Sequence, residues 1–124
     1  MARLPSVTRD QLKPEDQKYF DEITASRGGI RGPFGMLLHS PQLAARVAAT
    51  GAYVRFDFDM QNALKEVVIL ATAREVKSQY EFTAHARLAR QAGVSEETIR
   101  AIAHGTAPRG LSGDEALLVR YTQQ

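Results

Sequence analysis

A chain of 124 residues has room for one domain, able to withdraw roughly two-thirds of its unfolded surface from water. Hydrophobic residues at 44% and charged residues at 24% exclude wholesale disorder. A net charge of +2 with no basic block leaves no electrostatic footprint for nucleic acid. The absence of cysteine excludes disulfides, thiolate metal sites and thiol redox chemistry.

The N-terminus, MARLPSVTRDQ, lacks the apolar stretch of a signal peptide. The longest strongly apolar run, Val67 to Ala73, is far too short for a membrane span, so a soluble cytoplasmic protein with no membrane partner is expected. Helix signals then dominate. Lys13-Pro14-Glu15-Asp16 reads as a helix start, with proline in the first turn and acids at the positive end of the dipole. That helix carries Tyr19, Phe20 and Ile23 and stops near Gly28-Gly29. Arg31-Gly32-Pro33-Phe34-Gly35 must turn tightly; it lacks phosphate-loop spacing, so Phe34 is expected to pack inward. Met36 to His39 makes a short helical piece. Ser40-Pro41 opens a helix whose Leu43, Val47, Ala48, Tyr53 and Val54 recur at helical spacing. Phe56 to Asp59 reads as a connector ending in an N-cap at Asp59, and the cluster Tyr53, Phe56 and Phe58 as core or subunit interface.

A central helix is predicted over 60–77, with Leu64, Val67, Val68, Ala71 and Val76 as its core stripe. The opposite flank is apolar too, apart from Glu66. A second helix over 78–92 ends at Gly93. Ser95 caps a short helix ending near His104-Gly105, and Ser112 to Glu115 opens a last helix that is still apolar when the chain stops. The expectation is an all-α bundle of orthogonally packed helices around a central antiparallel pair. The domain plan is a single unit, 1–124, with an N-terminal helix and loop over 1–31, a core over 32–124 and a C-terminal end that looks truncated. Surplus apolar faces imply a homo-oligomer.

Between Lys65 and Ala86 lies the constellation that carries chemistry. Glu66 stands on one helix; Glu81 and His85 stand four apart on the next, hence on one face. Charges set among Val67, Val68, Ile69, Leu70, Phe82 and Leu88 need compensation, and two carboxylates with an imidazole can move protons. Glu81 is positioned to set the tautomer of His85, with Glu66 as a second proton carrier. A substrate carboxylate would need a cation, for which Arg74 and Arg31 are candidates. Plainer readings stand beside these: Glu81 and His85 as a surface pair, Glu66 solvated beside Lys65, and His39 and His104 as capping or surface residues. A Glu/Glu/His metal site is the sharper rival, but Glu-x-x-x-His lacks the second histidine of the zinc motif, so no metal or cofactor is expected.

The pattern Glu66, Ser78, Glu81, His85, with Gly32-Pro33-Phe34 before it and Ala92-Gly93-Val94-Ser95-Glu96-Glu97 after it, resembles the carboxymuconolactone decarboxylase and AhpD-like superfamily over about Gly32 to Gly105. In the AhpD-like branch a Cys-x-x-Cys pair performs peroxide chemistry. Ser78 and Glu81 hold those positions here, so peroxiredoxin activity is disfavoured despite the family association. The resemblance is to the decarboxylase-type branch. It implies a lyase acting without cofactor on a small lactone acid from aromatic catabolism, with His85, Glu81 and Glu66 catalytic and Arg74, Arg31, Ser78 and Phe34 binding substrate. It further implies a homotrimer or homohexamer. The alternative is a non-catalytic oligomeric protein that binds a small ligand.

Overall fold

The computed structural model describes residues 3–106 and 111–124, and among them every regular element is helical. The chain forms two compact units, 1–58 and 59–124.

In the first unit, two single-turn 3₁₀ helices (Arg9–Gln11 and Pro14–Asp16) lead into α1 (Gln17–Arg27). Gly28, at φ 70°, closes α1 by donating its N–H to Thr24 O. A single-turn helix, α2 (Phe34–Leu37), and α3 (Pro41–Ala52) follow, and a π-helical turn (Tyr53–Asp57) extends α3. The core joins Val7, Ile23, Phe34, Leu38, Ala44 and Ala48. The Arg27 guanidinium lies 4.4 Å from the Phe34 ring centre and donates from Nη2 to Ala48 O, fastening α1 to α3. Burial, with the nearby positive charge of Arg55, holds the Arg27 pKa below its usual value.

On α3 the larger side chains Leu43 and Val47 are exposed, while Ala44 and Ala48 turn inward, because small side chains let α1 approach closely. Tyr53, Phe56 and Phe58 are all exposed, which corrects the core reading and leaves the subunit-interface one, and the connector expected after Tyr53 is a helical continuation closed by Phe58 N–H donating to Tyr53 O.

The second unit contains α4 (Asn62–Glu75), α5 (Gln79–Gln91), α6 (Glu96–His104) and α7 (Gly113–Thr122). Its core gathers Val67, Leu70 and Ala71 of α4, Ala86 and Ala89 of α5, Val94, Ile99 and Ile102 at α6, and Val119 of α7. The N-cap of α4 is Gln61 rather than Asp59. Val76, expected in the core stripe, is 67% exposed because α4 ends one residue before it. Leu70 lies on the flank opposite that stripe yet is fully buried, as α4 is covered by α5, α6 and α7 together.

Serine caps start the last two helices. Ser95 Oγ accepts from Thr98 N–H, and Ser112 forms a full capping box with Glu115. Gly93 and Gly105 end α5 and α6 in left-handed conformations. At the end of α4, Ser78 N–H donates to Ala73 O while Lys77 sits at φ 56°. This is the six-to-one closure usually built on glycine, here with a lysine in the left-handed position. The turn reverses the chain so that α5 runs antiparallel along α4: Ala73 stands against Ser78 at one end, and Glu66 reaches His85 further along.

Candidate proton-transfer site

The antiparallel register of α4 and α5 decides which polar side chains meet. Glu66 follows the buried Lys65 and precedes the fully buried Val67, so its side chain leaves α4 at the edge of the core. His85 precedes the buried Ala86 on α5. Both side chains are only 12% exposed. His85 Nδ1 lies 2.7 Å from Glu66 Oε2. An ionised carboxylate only accepts, so Nδ1–H is the donor and the ring is held in one orientation with Nε2 directed away from Glu66.

Glu81, one helical turn before His85, stands on the Nε2 side. Its Oε2 is 3.6 Å from Nε2, beyond direct hydrogen bonding, and its side chain is 40% exposed. The partner that fixes the imidazole is therefore Glu66, not the four-apart Glu81 that helical spacing favoured. The interval between Nε2 and Glu81 is wide enough for a bridging water or a substrate atom. The three groups form a chain, Glu66–His85–Glu81, with the carboxylates on opposite ring nitrogens. They do not converge on one point as ligands of a shared ion would, and no group of three His, Asp or Glu side chains among the described residues is arranged to hold a metal.

A cavity of about 210 Å³ opens in the same unit, around the α4–α5 turn. Arg74, Lys77, Ser78 and Phe82 contribute to its wall. Arg74 Nε donates to Ala103 O of α6 at 2.8 Å, which steadies the guanidinium there. Sequence reasoning named Arg74 and Ser78 but missed Lys77 and Phe82. Lys77 is hidden because nothing in Arg74-Glu75-Val76-Lys77-Ser78 announces a left-handed residue, and Phe82 because its hydrophobicity marks it only as part of the apolar setting.

The remaining candidates lie in the first unit. Arg31 is exposed in the turn before α2. Phe34 is 7% exposed and packed inward under Arg27, as the turn reading expects, so it offers no free face to a ligand. His39 Nε2 is 2.9 Å from Pro5 O, and His104 is an exposed residue in the last turn of α6.

The profile of the carboxymuconolactone decarboxylase family matches residues 41–124. The chain belongs to that family. A search of curated proteins and a search of solved structures each returned no significant match. The family match spans α3 to α7 and so contains the Glu66–His85–Glu81 chain and the cavity wall. In this carboxymuconolactone decarboxylase family member, the serine and glutamate at 78 and 81 supply no thiol, and no cysteine exists elsewhere in the sequence to replace one. No helix among the described residues is long and apolar enough to cross a membrane.

Proposed function

We propose that this family member is a cofactor-independent lyase that decarboxylates a small lactone acid, or a related ring-cleavage product, by proton transfer at His85. The observation that carries this reading is the 2.7 Å contact between His85 Nδ1 and Glu66 Oε2 in a setting where both side chains are largely withdrawn from water. A carboxylate behind an imidazole holds the ring in place and supports the charge that develops when the far nitrogen takes or gives a proton.

In the proposed step, the bond between the ring carbon and its carboxylate breaks and carbon dioxide leaves. The electron pair is delocalised onto the lactone carbonyl. Protonated His85 then delivers its Nε2 proton to carbon, forming the new C–H bond, and recovers a proton from water. Glu66 is a positioning residue that keeps Nδ1–H engaged. Glu81, half-exposed on the Nε2 side, faces the transferred proton and is suited to relay its replacement from solvent.

The test is product analysis in D₂O with carboxymuconolactone and a panel of related lactone acids. The expected result is carbon dioxide release with one solvent-derived deuteron on carbon, and loss of about 10²–10⁴-fold in kcat for His85→Asn. Turnover unchanged by that substitution removes His85 from the mechanism. Self-association belongs to the same proposal. Exposed large apolar side chains in both units, including Phe56, Val76, Tyr80, Leu117 and Tyr121, are surface that association would cover, and the family resemblance suggests a homotrimer or homohexamer as its size.

A further inference from the structure

Helix α5 presents to solvent a face whose two ends are complementary. Ala86 and Ala89 are buried on one side of the helix, and Tyr80, Thr83, Ala84 and Arg87 recur at helical spacing on the other. All four are exposed, Tyr80 at 58%. Small side chains hold the middle of the face, and a hollow of about 460 Å³ lies over Gln79, Tyr80, Thr83 and Ala84. The aromatic ring of Tyr80 and the guanidinium of Arg87 stand equally far from the midpoint between Thr83 and Ala84. That guanidinium has no hydrogen bond, ion pair or ring contact among the described residues. Glu81 adjoins the same face with its side chain 40% exposed, and among the described residues no arginine or lysine of its own chain pairs with it.

We infer that this face is a two-fold contact with a second copy of the chain, in which the partner's Arg87 pairs with Glu81. A face with an aromatic ring at one end and a cation at the other complements itself when two copies cross antiparallel. With the crossing between Thr83 and Ala84, Tyr80 stands level with the partner's Arg87, ring to guanidinium. Glu81 lies one residue nearer the crossing, about 1.5 Å along the axis and within reach of that arginine. The two Arg87 positions are then about 10 Å apart, so the like charges do not collide. Thr83 and Ala84 let the helices approach, and the same residues of the other copy fill the hollow. A parallel pairing would set Arg87 against Arg87. A foreign acidic segment would meet Arg87 but leave Glu81 without a cation. The contact brings a positive charge to the Nε2 side of His85 and covers the open edge of Glu81, so each copy completes the site of the other. It names the surface of the self-association already proposed and rests on that reading. The effect of Arg87 on turnover, as a positioning residue, rests on the proton-transfer reading as well.

The chain has no cysteine, so single-cysteine variants report the contact directly. Mild oxidation of Ala84→Cys is expected to join copies in pairs, whereas Gln91→Cys, about 22 Å from its mate in this pairing, should stay unjoined. Ala84→Arg should halve the mass of the assembly in analytical ultracentrifugation, with helix content by circular dichroism unchanged. Arg87→Glu should also halve it, and Glu81→Arg added to Arg87→Glu should restore it. Subunit mixing tests the shared site. Arg87→Ala is expected to lower kcat by about tenfold, with Arg87→Lys retaining most of it. Mixing Arg87→Ala with His85→Asn should regain about a quarter of wild-type turnover, since half the pairs are mixed and each carries one intact site. An assembly that persists without the Ala84→Cys cross-link, or a charge swap that restores nothing, overturns this contact and leaves self-association standing. A wild-type chain that stays monomeric overturns both. Impaired parents with no regain on mixing place the effect of Arg87 within its own copy and contradict the pairing. Cross-linking and charge-swap rescue in a chain without turnover keep the contact and remove the proton-transfer reading.

Discussion

Glu66 and His85 stand nineteen residues apart on consecutive antiparallel helices and meet at 2.7 Å. Because the carboxylate occupies Nδ1, the imidazole has one working nitrogen, Nε2, on the side where Glu81 stands. Glu66→Gln is expected to keep the shape and weaken the hold on the ring. Without the negative charge, kcat should fall by about 10–100-fold with little change in KM, and folding stability by about 1–3 kcal/mol. Nitrogen chemical shifts of His85 should report a mixed tautomer in the variant. A single Nδ1–H tautomer in both proteins would assign the orientation to something other than Glu66.

Lys77 predicts a gain in stability on substitution. Its left-handed backbone costs an L-residue roughly 1–2 kcal/mol, and the greater chain freedom of glycine offsets part of any relief. Lys77→Gly should therefore raise stability by about 0.5–1 kcal/mol in urea unfolding. A variant that lost stability would show that the lysine side chain, not the conformation, matters to the turn.

Leu70 and Val76 form a paired test of the core. Leu70 is fully buried among α4, α5, α6 and α7, and Leu70→Ala should destabilise by about 2–5 kcal/mol. Val76 is 67% exposed beyond the end of α4, and Val76→Ala should stay within about 0.5 kcal/mol. Chemical denaturation of the two variants measures the contrast.

Acid should weaken two surface clamps together. Asp21 is held below the usual carboxylate range by its hydrogen bonds from Arg9, and Glu96 by those from Arg90. A carboxyl group whose folded pKa is depressed contributes stability above its unfolded value, about 3.9–4.3, and loses that contribution as pH falls through the folded value. Asp21→Asn and Glu96→Gln should each flatten the acid limb of a stability-versus-pH curve. Both clamps are solvent-exposed, so added salt should reduce the effect. An acid limb unchanged in the double variant would place the proton linkage elsewhere.

Much of the second unit was legible because its signals are local. Ser95, Gly93, Gly105 and Ser112 mark helix ends through chemistry contained within a few residues, and the structure uses each of them at or next to a helix end. The meeting of Glu66 with His85 was partly legible: spacing placed them on adjacent helices, but the angle of each face depends on packing. That is why the four-apart Glu81 looked the better partner. Burial on α3 was the least legible. Leu43 and Val47 carry the larger hydrophobic surface, yet Ala44 and Ala48 are inside, since close helix approach rewards small side chains over hydrophobic ones. Lys77 escaped for a different reason: a left-handed lysine has no compositional mark.

The tight reversal at Val76–Ser78 has a consequence for how the protein comes to be folded. Glu66, Ser78, Glu81 and His85 all belong to one helical hairpin whose closing loop is among the shortest available, so joining its arms entails little loss of chain entropy. Contacts of such low sequence separation form quickly relative to those that link distant segments. Glu66, Glu81 and His85 can thus be aligned early, by a segment that carries its own instructions for alignment. A substitution that disturbs the reversal would delay the meeting of Glu66 with His85 as well as weaken the fold.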